Sequence, residues 1–410
     1  MLVLFIVAVL AGIGSLVQLL APYSAFGRIA TMLFQPLWQL GNNVLASFAE
    51  RADSYAFYSV DVWLRSLPVL IIAVVTLVVL AVLAWRNGRT YCNTICPVGT
   101  ILSFFARFSL LKINIDLGKC KNCSLCAKNC KASCIDFKNH RIDYSRCVVC
   151  GDCLKKCEFG ALKYDNPRLH KKATTTEETT QPFSTEESKG RRSFLLATAL
   201  ATTAALAQEK KKVDGGLAEL KDKVMPERLT PVVPPGALSL KNMATRCTGC
   251  QLCVSDCPNG VLRPSTDLMH LMQPVMSFER GYCRPECTRC SDVCPAGAIK
   301  PIDDIEKSSI QIGHAVVVAD QCISAIGEAE CGNCERHCPV GAIEMVSLID
   351  AIDEGKIKME LPEDIDPDFP PFVPAVDESR CIGCGACEYL CPVRPLSAIH
   401  VEGHEVHHYL

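Results

Sequence analysis

Two stretches near the start of the chain are apolar without interruption, whereas the rest alternates short apolar and polar segments. Residues 1–20 contain no charged side chain, and neither do the residues from Leu67 to Trp85. About 20 apolar residues are enough for an α-helix to cross a bilayer. The pattern therefore predicts two membrane spans, at about 1–20 and 67–85, within a membrane anchor that covers residues 1–112.

The segment between the two spans, residues 21–66, is only partly apolar. Its apolar middle, residues 29–48, is interrupted by a Gly-Asn-Asn sequence at 41–43. We expect this segment to be a loop with an interfacial or re-entrant middle rather than a third span.

Charge divides the chain into a basic first part and an acidic second part. Residues 86–172 hold 17 Lys and Arg against 6 Asp and Glu, whereas residues 213–410 hold 16 against 30. A positive excess beside a span marks the cytoplasmic side of a membrane, and an acidic region is a poor partner for nucleic acid. We expect the two parts to lie on opposite sides of a membrane, with no nucleic-acid partner.

The 27 cysteines of the chain carry its candidate chemistry. Most of them follow six versions of the run Cys-x-x-Cys-x-x-Cys-x-x-x-Cys, of which Cys381 to Cys391 is the clearest. Three thiols at this spacing can ligate one 4Fe-4S cluster, and the fourth usually ligates the cluster of a partner run. Disulfides would be strained at this spacing, and zinc sites favour two separated pairs. The runs therefore predict iron–sulfur clusters.

Crossed pairing of neighbouring runs predicts six 4Fe-4S clusters. The predicted ligand sets are Cys120, Cys123, Cys126 and Cys157; Cys147, Cys150, Cys153 and Cys130; Cys247, Cys250, Cys253 and Cys294; Cys283, Cys287, Cys290 and Cys257; Cys322, Cys331, Cys334 and Cys391; Cys381, Cys384, Cys387 and Cys338. Cys134 is left over, either as a spare thiol or as a replacement for Cys130.

The cysteine runs define a two-cluster module at 113–165 and a four-cluster region at 246–410. Three runs continue into Ile299, Ile343 and Ile399 through a sequence that predicts a turn and then a short strand. The expected fold class is α+β, with N-terminal transmembrane helices followed by three two-cluster bacterial-ferredoxin-like modules. One module precedes an internal export or anchor segment and two follow it.

That internal segment, residues 193–208, lies between a polar linker at 166–192 and a lead-in at 209–245. The linker ends in Arg191-Arg192, and a paired arginine before a weakly apolar stretch is typical of a twin-arginine export signal. Ala205-Leu206-Ala207 resembles a cleavage sequence, so the segment is either cut there or kept as an anchor. The alternative is a short cytoplasmic helix that happens to follow two arginines.

Two further groups of side chains are candidate sites. Cys92 and Cys96 follow the second span and are four residues apart, so a helical turn would bring them together. They form either a buried thiol pair or a redox or quinone-proximal site at the membrane surface. The histidines near the end of the chain are expected to lie in a solvated tail more readily than in a metal site: His404, His407 and His408.

The order of these motifs along the chain resembles that of two protein families. The span, Cys92-x-x-x-Cys96-Pro97 and the first two cluster runs resemble the membrane-bound quinol dehydrogenase ferredoxins of the NapH type, which group with the polyferredoxin part of nitrous-oxide-reductase regulators. Arg191-Arg192 and the later runs resemble the NapG type, an exported ferredoxin with four 4Fe-4S clusters. The resemblance implies electron transfer from quinol to a periplasmic reductase, with Cys92 and Cys96 near quinol oxidation. The chain departs from the families by fusing the two types and by having two clear spans where NapH-type proteins have four.

The chain is therefore interpreted as an electron-transfer protein of the bacterial inner membrane. The first two clusters are expected on the cytoplasmic side and the last four on the periplasmic side. No paired carboxylates, nucleophile triad or phosphate loop predicts a catalytic residue, so an enzymatic role would be quinol oxidation within a complex. Two alternatives stay open: a redox protein that matures or reactivates a metalloenzyme, and a module that passes electrons from ferredoxin to quinone.

Overall fold

The computed structural model describes residues 5–8, 11, 14–52, 54, 56–87, 89, 91–92, 95–166, 221–357 and 370–410. One compact unit comprises residues 1–165 and 223–410, and residues 166–222 form a second unit. The twin arginine, the segment 193–208 and most of the linker and lead-in lie outside the described residues. The predictions made for them stay predictions.

A long helical stretch begins the described part of the chain. Its elements are α1 (Gly14–Leu20), α2 (Pro22–Ile29), a π-helical turn (Ala30–Phe34) and α3 (Gln35–Arg51), and α4 (Leu67–Asn87) follows after a loop. The expected loop over residues 21–66 is therefore wrong for residues 22–51.

Residue types that are uncommon in helices are accommodated within this helical stretch. Pro22 and Pro36 lie in the first turns of α2 and α3, where a missing N–H is tolerated. The side chain of Asn42 donates to the carbonyl of Tyr58 at 2.9 Å, and that of Asn43 bonds both the N–H and the C=O of Val60. Both asparagines therefore hold the loop that returns toward α4.

Helix α4 contains the one segment of the described residues that is long and apolar enough to cross a membrane, from Leu67 to Trp85. Its mean hydropathy is 3.1, and 11 % of it is buried within the protein. Helix α1 has seven residues. Part of residues 1–20 lies outside the described ranges, so the first span stays a prediction.

The first cysteine-rich module has two antiparallel strand pairs. After α5 (Pro97–Ala106), its elements are β1 (Lys112–Ile115), α6 (Leu125–Lys128), β2 (Ile135–Asp136), β3 (Arg141–Ile142), α7 (Asp152–Lys156) and β4 (Leu162–Asp165). The outer strands β1 and β4 pair from Lys112 with Asp165 to Ile115 with Leu162, and β2 pairs with β3. Each short helix lies within one cysteine run.

The four-cluster region contains three further antiparallel strand pairs among the described residues. Its helices are α8 (Leu240–Arg246), α9 (Leu252–Asp256), α10 (Arg289–Asp292), α11 (Asp304–Ser309), α12 (Asn333–Arg336), α13 (Leu348–Asp353) and α14 (Ala386–Leu390). Its strands are β5 (Leu262–Pro264), β6 (Pro274–Met276), β7 (Ile310–Val317), β8 (Ile343–Ser347), β9 (Phe372–Val376) and β10 (Ile399–Tyr409). The antiparallel pairs are β5 with β6, β8 with β9, and β7 with β10.

Three local expectations have mixed outcomes. A strand follows the turn at Ile343 and at Ile399, as expected, but Ile299 lies outside any strand. The expected solvated tail is wrong, because the terminal histidines lie in β10 and His407 is 5 % exposed. Pairing with β7 gives this segment a partner for its backbone groups, which a sequence rich in histidine does not reveal by itself.

Candidate iron–sulfur centres

Four cavities are each lined by the cysteines of one predicted ligand set. Cys120, Cys123, Cys126 and Cys157 line a cavity of about 450 Å³. Cavities of about 350–360 Å³ are lined by the following three sets: Cys130, Cys147, Cys150 and Cys153; Cys247, Cys250, Cys253 and Cys294; Cys257, Cys283, Cys287 and Cys290. The structure therefore brings together the fourth cysteine of one run and the first three of its partner, as crossed pairing requires.

The remaining two sets lie in the common core of the four-cluster region. The charges of Cys322 and Cys331 act on Cys334, and Cys338 acts on Cys381 and on Cys384. Cys391 is 7 % exposed and belongs to the same buried cluster. Cys338 is therefore close enough to Cys381 and Cys384 to act on them electrostatically, and the assignment of this set stays a prediction.

Four of the runs share an uncommon backbone conformation around their second cysteine. The residues immediately before and after that cysteine have positive φ in each run, and they are Asn122 and Ser124, Val149 and Gly151, Gly249 and Gln251, and Gly383 and Gly385. A positive φ costs little for glycine and more for a residue with a Cβ. The same strained loop thus recurs whether or not glycine is present, so the position of the thiols is strongly constrained.

The fourth cysteine of three of the six runs accepts a backbone hydrogen bond at its sulfur. The donors are the N–H groups of Ala161 to Cys157 at 3.3 Å, Ile299 to Cys294 at 3.4 Å and Ala342 to Cys338 at 3.2 Å. Backbone N–H groups aimed at cysteine sulfur stabilise the thiolate form and raise the potential of a cluster held by it.

Cys134 occupies the position that a buried alanine fills after Cys157, Cys294 and Cys338. It lies four residues after Cys130, as Ala342 lies four after Cys338, and the residue before each has positive φ. The Cys134 sulfur is 3.4 Å from the Cys130 sulfur, and it lines the same cavity. This arrangement favours Cys130 as the fourth member of the set, with Cys134 as an additional thiol beside it.

Burial disfavours the thiolate at ten of the 24 predicted ligand positions. It raises the pKa of Cys247, Cys290 and Cys384 to about 12 and that of Cys153 to about 11. Cysteine binds metal as the thiolate, so loading of such a site must release protons. The thiols, the apolar walls and the N–H groups together fit a 4Fe-4S cluster. No three Cys, His, Asp or Glu side chains among the described residues converge on a single-ion site.

The N-terminal helices pack directly on the loop that holds Cys247 and Cys250, which sequence reasoning missed. Gln18 donates to the carbonyl of Cys247 at 3.1 Å, and Ser24 donates to the carbonyl of Thr248. A Cβ on Gly27 would lie 2.9 Å from the carbonyl carbon of Cys250 and closer still to its oxygen. Glycine is therefore needed at this contact.

Basic side chains lie beside other cysteine sets and were also missed. Lys307 is 5 % exposed, donates to the carbonyls of Arg284 and Cys287, and interacts with the Cys283 thiol. Burial lowers the pKa of Lys223 to about 8, and this side chain interacts with Cys391. The sequence alone does not single out these lysines, because their burial beside cysteines is known only from the structure.

Cys92 and Cys96 lie at the turn that leads into α5. Cys92 is exposed and Cys96 is buried, and among the described residues no disulfide joins any cysteines. The carbonyl of Cys92 closely approaches Gly99, in the first turn of α5. The structure keeps the two cysteines on one turn but shows no contact between their sulfurs, so a redox or quinone-proximal role stays a prediction.

Three protein families match parts of the chain. Two families described as 4Fe-4S dicluster domains match residues 329–394 and 143–261, and one described as a 4Fe-4S binding domain matches residues 66–116. The last match includes Cys92 and Cys96. The match over 143–261 covers the runs that begin at Cys147 and Cys247, and the cysteines of these two runs line different cavities. This match therefore identifies cluster-binding sequence and does not indicate which runs share a cluster.

Curated relatives are similar to parts of the chain. The methylamine utilization ferredoxin-type protein MauM of Methylobacillus flagellatus is 32% identical over 38% of this chain and 62% of its own length. MauM of Methylophilus methylotrophus is 32% identical over 38% of this chain and 65% of its own length. The chain thus spans less than two thirds of either MauM protein. The ferredoxin-type protein NapG of Escherichia coli is 30% identical over 43% of this chain and 74% of its own length.

Proposed function

Because the chain belongs to the family of ferredoxin-type 4Fe-4S proteins related to MauM and NapG, we propose that it relays electrons from a membrane quinol to a reductase on the far side of the membrane. The coarser function, iron–sulfur electron transfer, is shared by that family. The quinol donor, the reductase and the direction of flow are parts of the proposal.

The observation that carries the proposal is the crossed lining of four separate cavities, each by all four cysteines of one predicted ligand set. We assign the six predicted ligand sets to six 4Fe-4S clusters, each of which supplies a one-electron carrier when bound. The chain itself contributes apolar walls that exclude water, N–H groups that point at sulfur, and buried lysines. These features tune potentials without transferring protons.

The arrangement along α4 supports placing the two cluster groups on opposite sides of a membrane. The four-cluster region contacts the beginning of α4, where Val69 and Ala73 pack with Met272. The basic first module follows the other end of α4 along the chain, and a positive excess beside a span marks the cytoplasmic side. Export through the twin-arginine segment would bring the later clusters to the periplasmic face of a bacterial inner membrane.

Cluster loading is tested with Cys384→Ala in anaerobically purified full-length chain, with Cys134→Ala as the matched control. Removal of Cys384 should eliminate one cluster, about four of about 24 irons, and destabilise the last module because ligand binding is coupled to folding. Removal of Cys134 should leave the iron content unchanged. Full iron content in the Cys384→Ala chain would contradict the assignment.

Electron donation is tested by adding a quinol to oxidised protein in membranes and following cluster reduction by electron paramagnetic resonance. Reduction by quinol, followed by reoxidation when a periplasmic extract is added, is the expected result. Protein that chemical reductant reduces and quinol does not would refute the proposed donor.

A further inference from the structure

A small cavity with polar and apolar walls lies where the chain enters α4. Its volume is about 330 Å³, part of it open to the outside. The π-helical turn and α3 contribute Met32, Gln35 and Gln39, and the loop before α4 contributes Trp63 and Arg65. The cavity is therefore at one end of the apolar helix, level with the start of the membrane-spanning segment.

Polar atoms at this cavity are buried without a partner. They are Oε1 of Gln35 and Nη1 of Arg65, and the neighbouring Ser66 has an unpartnered buried Oγ. A buried polar group without a hydrogen bond costs about 1–3 kcal/mol, so native proteins rarely leave several together. One unpartnered acceptor and one unpartnered donor at the same cavity suit a ligand that carries a hydroxyl group and a second oxygen.

The surroundings of the cavity are apolar and exposed. Phe34 and Leu37 on the α3 side and Leu67 and Ile71 on the α4 side are each at least 45 % exposed. Exposed apolar surface of this kind next to a spanning helix suits contact with lipid. A ligand with a polar head and a long apolar tail could place its head in the cavity and its tail along these side chains.

The cavity is also next to two of the proposed clusters. Arg65 is within electrostatic reach of Cys257 and Cys253, which belong to two different ligand sets. Trp63 is held between two guanidinium groups of the four-cluster region, Arg263 at 4.6 Å and Arg280 at 4.7 Å from its ring centroid. The wall of the cavity is thus part of the surface that carries the first two clusters of that region.

We propose that this cavity, bounded by Gln35, Trp63 and Arg65, binds the head group of a membrane quinol, an inference that rests on the proposed electron transfer from quinol. Gln35 Oε1 accepts a hydrogen bond from one quinol hydroxyl, and Arg65 Nη1 donates to the other oxygen. The quinol loses two electrons and two protons and leaves as the quinone. Cys253 and Cys257 belong to the two sets that would hold the nearest clusters, which when oxidised would supply acceptors for one electron each, and the two protons pass to the solvent at the open side.

This placement differs from the site suggested by the cysteine pair after α4. Cys92 and Cys96 follow α4 along the chain and do not line this cavity, whereas Val69, at the beginning of α4, packs with Met272 of the four-cluster region. Electrons would therefore enter the acidic second part of the chain directly and need not pass through the first module.

The test measures binding of decyl-ubiquinone and of menadione to the cluster-loaded full chain in lipid nanodiscs. Gln35→Leu and Arg65→Met should each weaken binding about tenfold or more, with unchanged iron content. Arg51→Met, which removes an exposed arginine from the end of α3, is the control that should bind as the unaltered chain does, and Cys92→Ser combined with Cys96→Ser tests the competing site before α5. Weakening by the cysteine variant with none by the cavity variants would overturn the assignment.

Two further measurements keep the assignment separate from the proposed function and from misfolding. If quinol reduces the clusters equally well in the cavity variants, the site is wrong but the quinol donor stands; if quinol fails to reduce the unaltered chain, the donor itself is wrong. An azidoquinone cross-linked to the unaltered chain should label peptides that contain residues 32–39 or 63–66. Labelling at 91–100, or displacement of the label by phospholipid alone, would refute the site.

Discussion

Gly27→Ala tests whether α2 really packs on the loop of the third predicted cluster. An added Cβ would lie 2.9 Å from the carbonyl carbon of Cys250. Carbon atoms in contact are normally about 3.5–4.0 Å apart, so the helix and loop must separate by at least about 0.6 Å. Overpacking of this kind costs about 1–3 kcal/mol, and the better helix propensity of alanine offsets up to about 1 kcal/mol. We expect a net loss of about 1–2 kcal/mol.

Gly41→Ala is the matched control, because a Cβ at Gly41 meets nothing within 4 Å. This change on α3 should stabilise the chain by about 0.5–1 kcal/mol through helix propensity alone. The assay is hydrogen exchange of the peptide that covers residues 247–253 in the cluster-loaded chain, since a loss of about 1.4 kcal/mol increases the population of the open state about tenfold. Unchanged or slower exchange in the Gly27→Ala chain would refute the packing.

Three other substitutions test the strained loops, the buried histidine and the buried lysine. Val149→Gly should raise stability by about 0.5–1 kcal/mol in chemical denaturation, because Val149 has φ 52°; Val148→Gly should lower it, and equal effects would contradict the argument. Burial lowers the pKa of His407 to about 4, so the unfolded chain binds more protons between pH 6.5 and 4 and stability falls as the pH falls. His407→Phe should abolish about 2 kcal/mol of the free energy of unfolding that is lost between pH 7 and pH 5. If the free energy of unfolding still falls by the same amount between these two pH values, His407 is not the cause of the loss. Lys307→Met should lower the potential of the cluster on Cys283 by roughly 50–130 mV, from a charge interaction of about 1–3 kcal/mol; an unchanged potential in a redox titration would show that the lysine has no electrostatic effect.

The cysteine sets were accessible from sequence because their spacing is local chemistry. Three thiols two residues apart can reach one cluster only within a short loop, and the fourth must then serve a partner run. The structure lines four cavities in this crossed manner. The ligation itself stays a prediction until iron is counted.

The backbone conformation of the runs was only partly visible in the sequence. Glycine at 249 and 383 signals a positive φ, but Asn122, Val149 and Gln251 adopt the same conformation without that signal. The requirement to point thiols into a common cavity overrides the local preference of these residues, which propensity alone does not reveal.

The sequence by itself determined the cysteine runs, the apolar segment from Leu67 to Trp85 and the family of electron-transfer proteins to which the chain is related. Each of these depends on residues that are close together along the chain, or on composition. The tertiary structure alone decided that residues 22–51 are helical and pack on a cysteine loop, and that Gln35 and Arg65 share a cavity. Those contacts join residues as far apart as Gln18 and Cys247, which are 229 positions from each other. Packing over such separations depends on the shapes of both surfaces, and a linear pattern does not contain them.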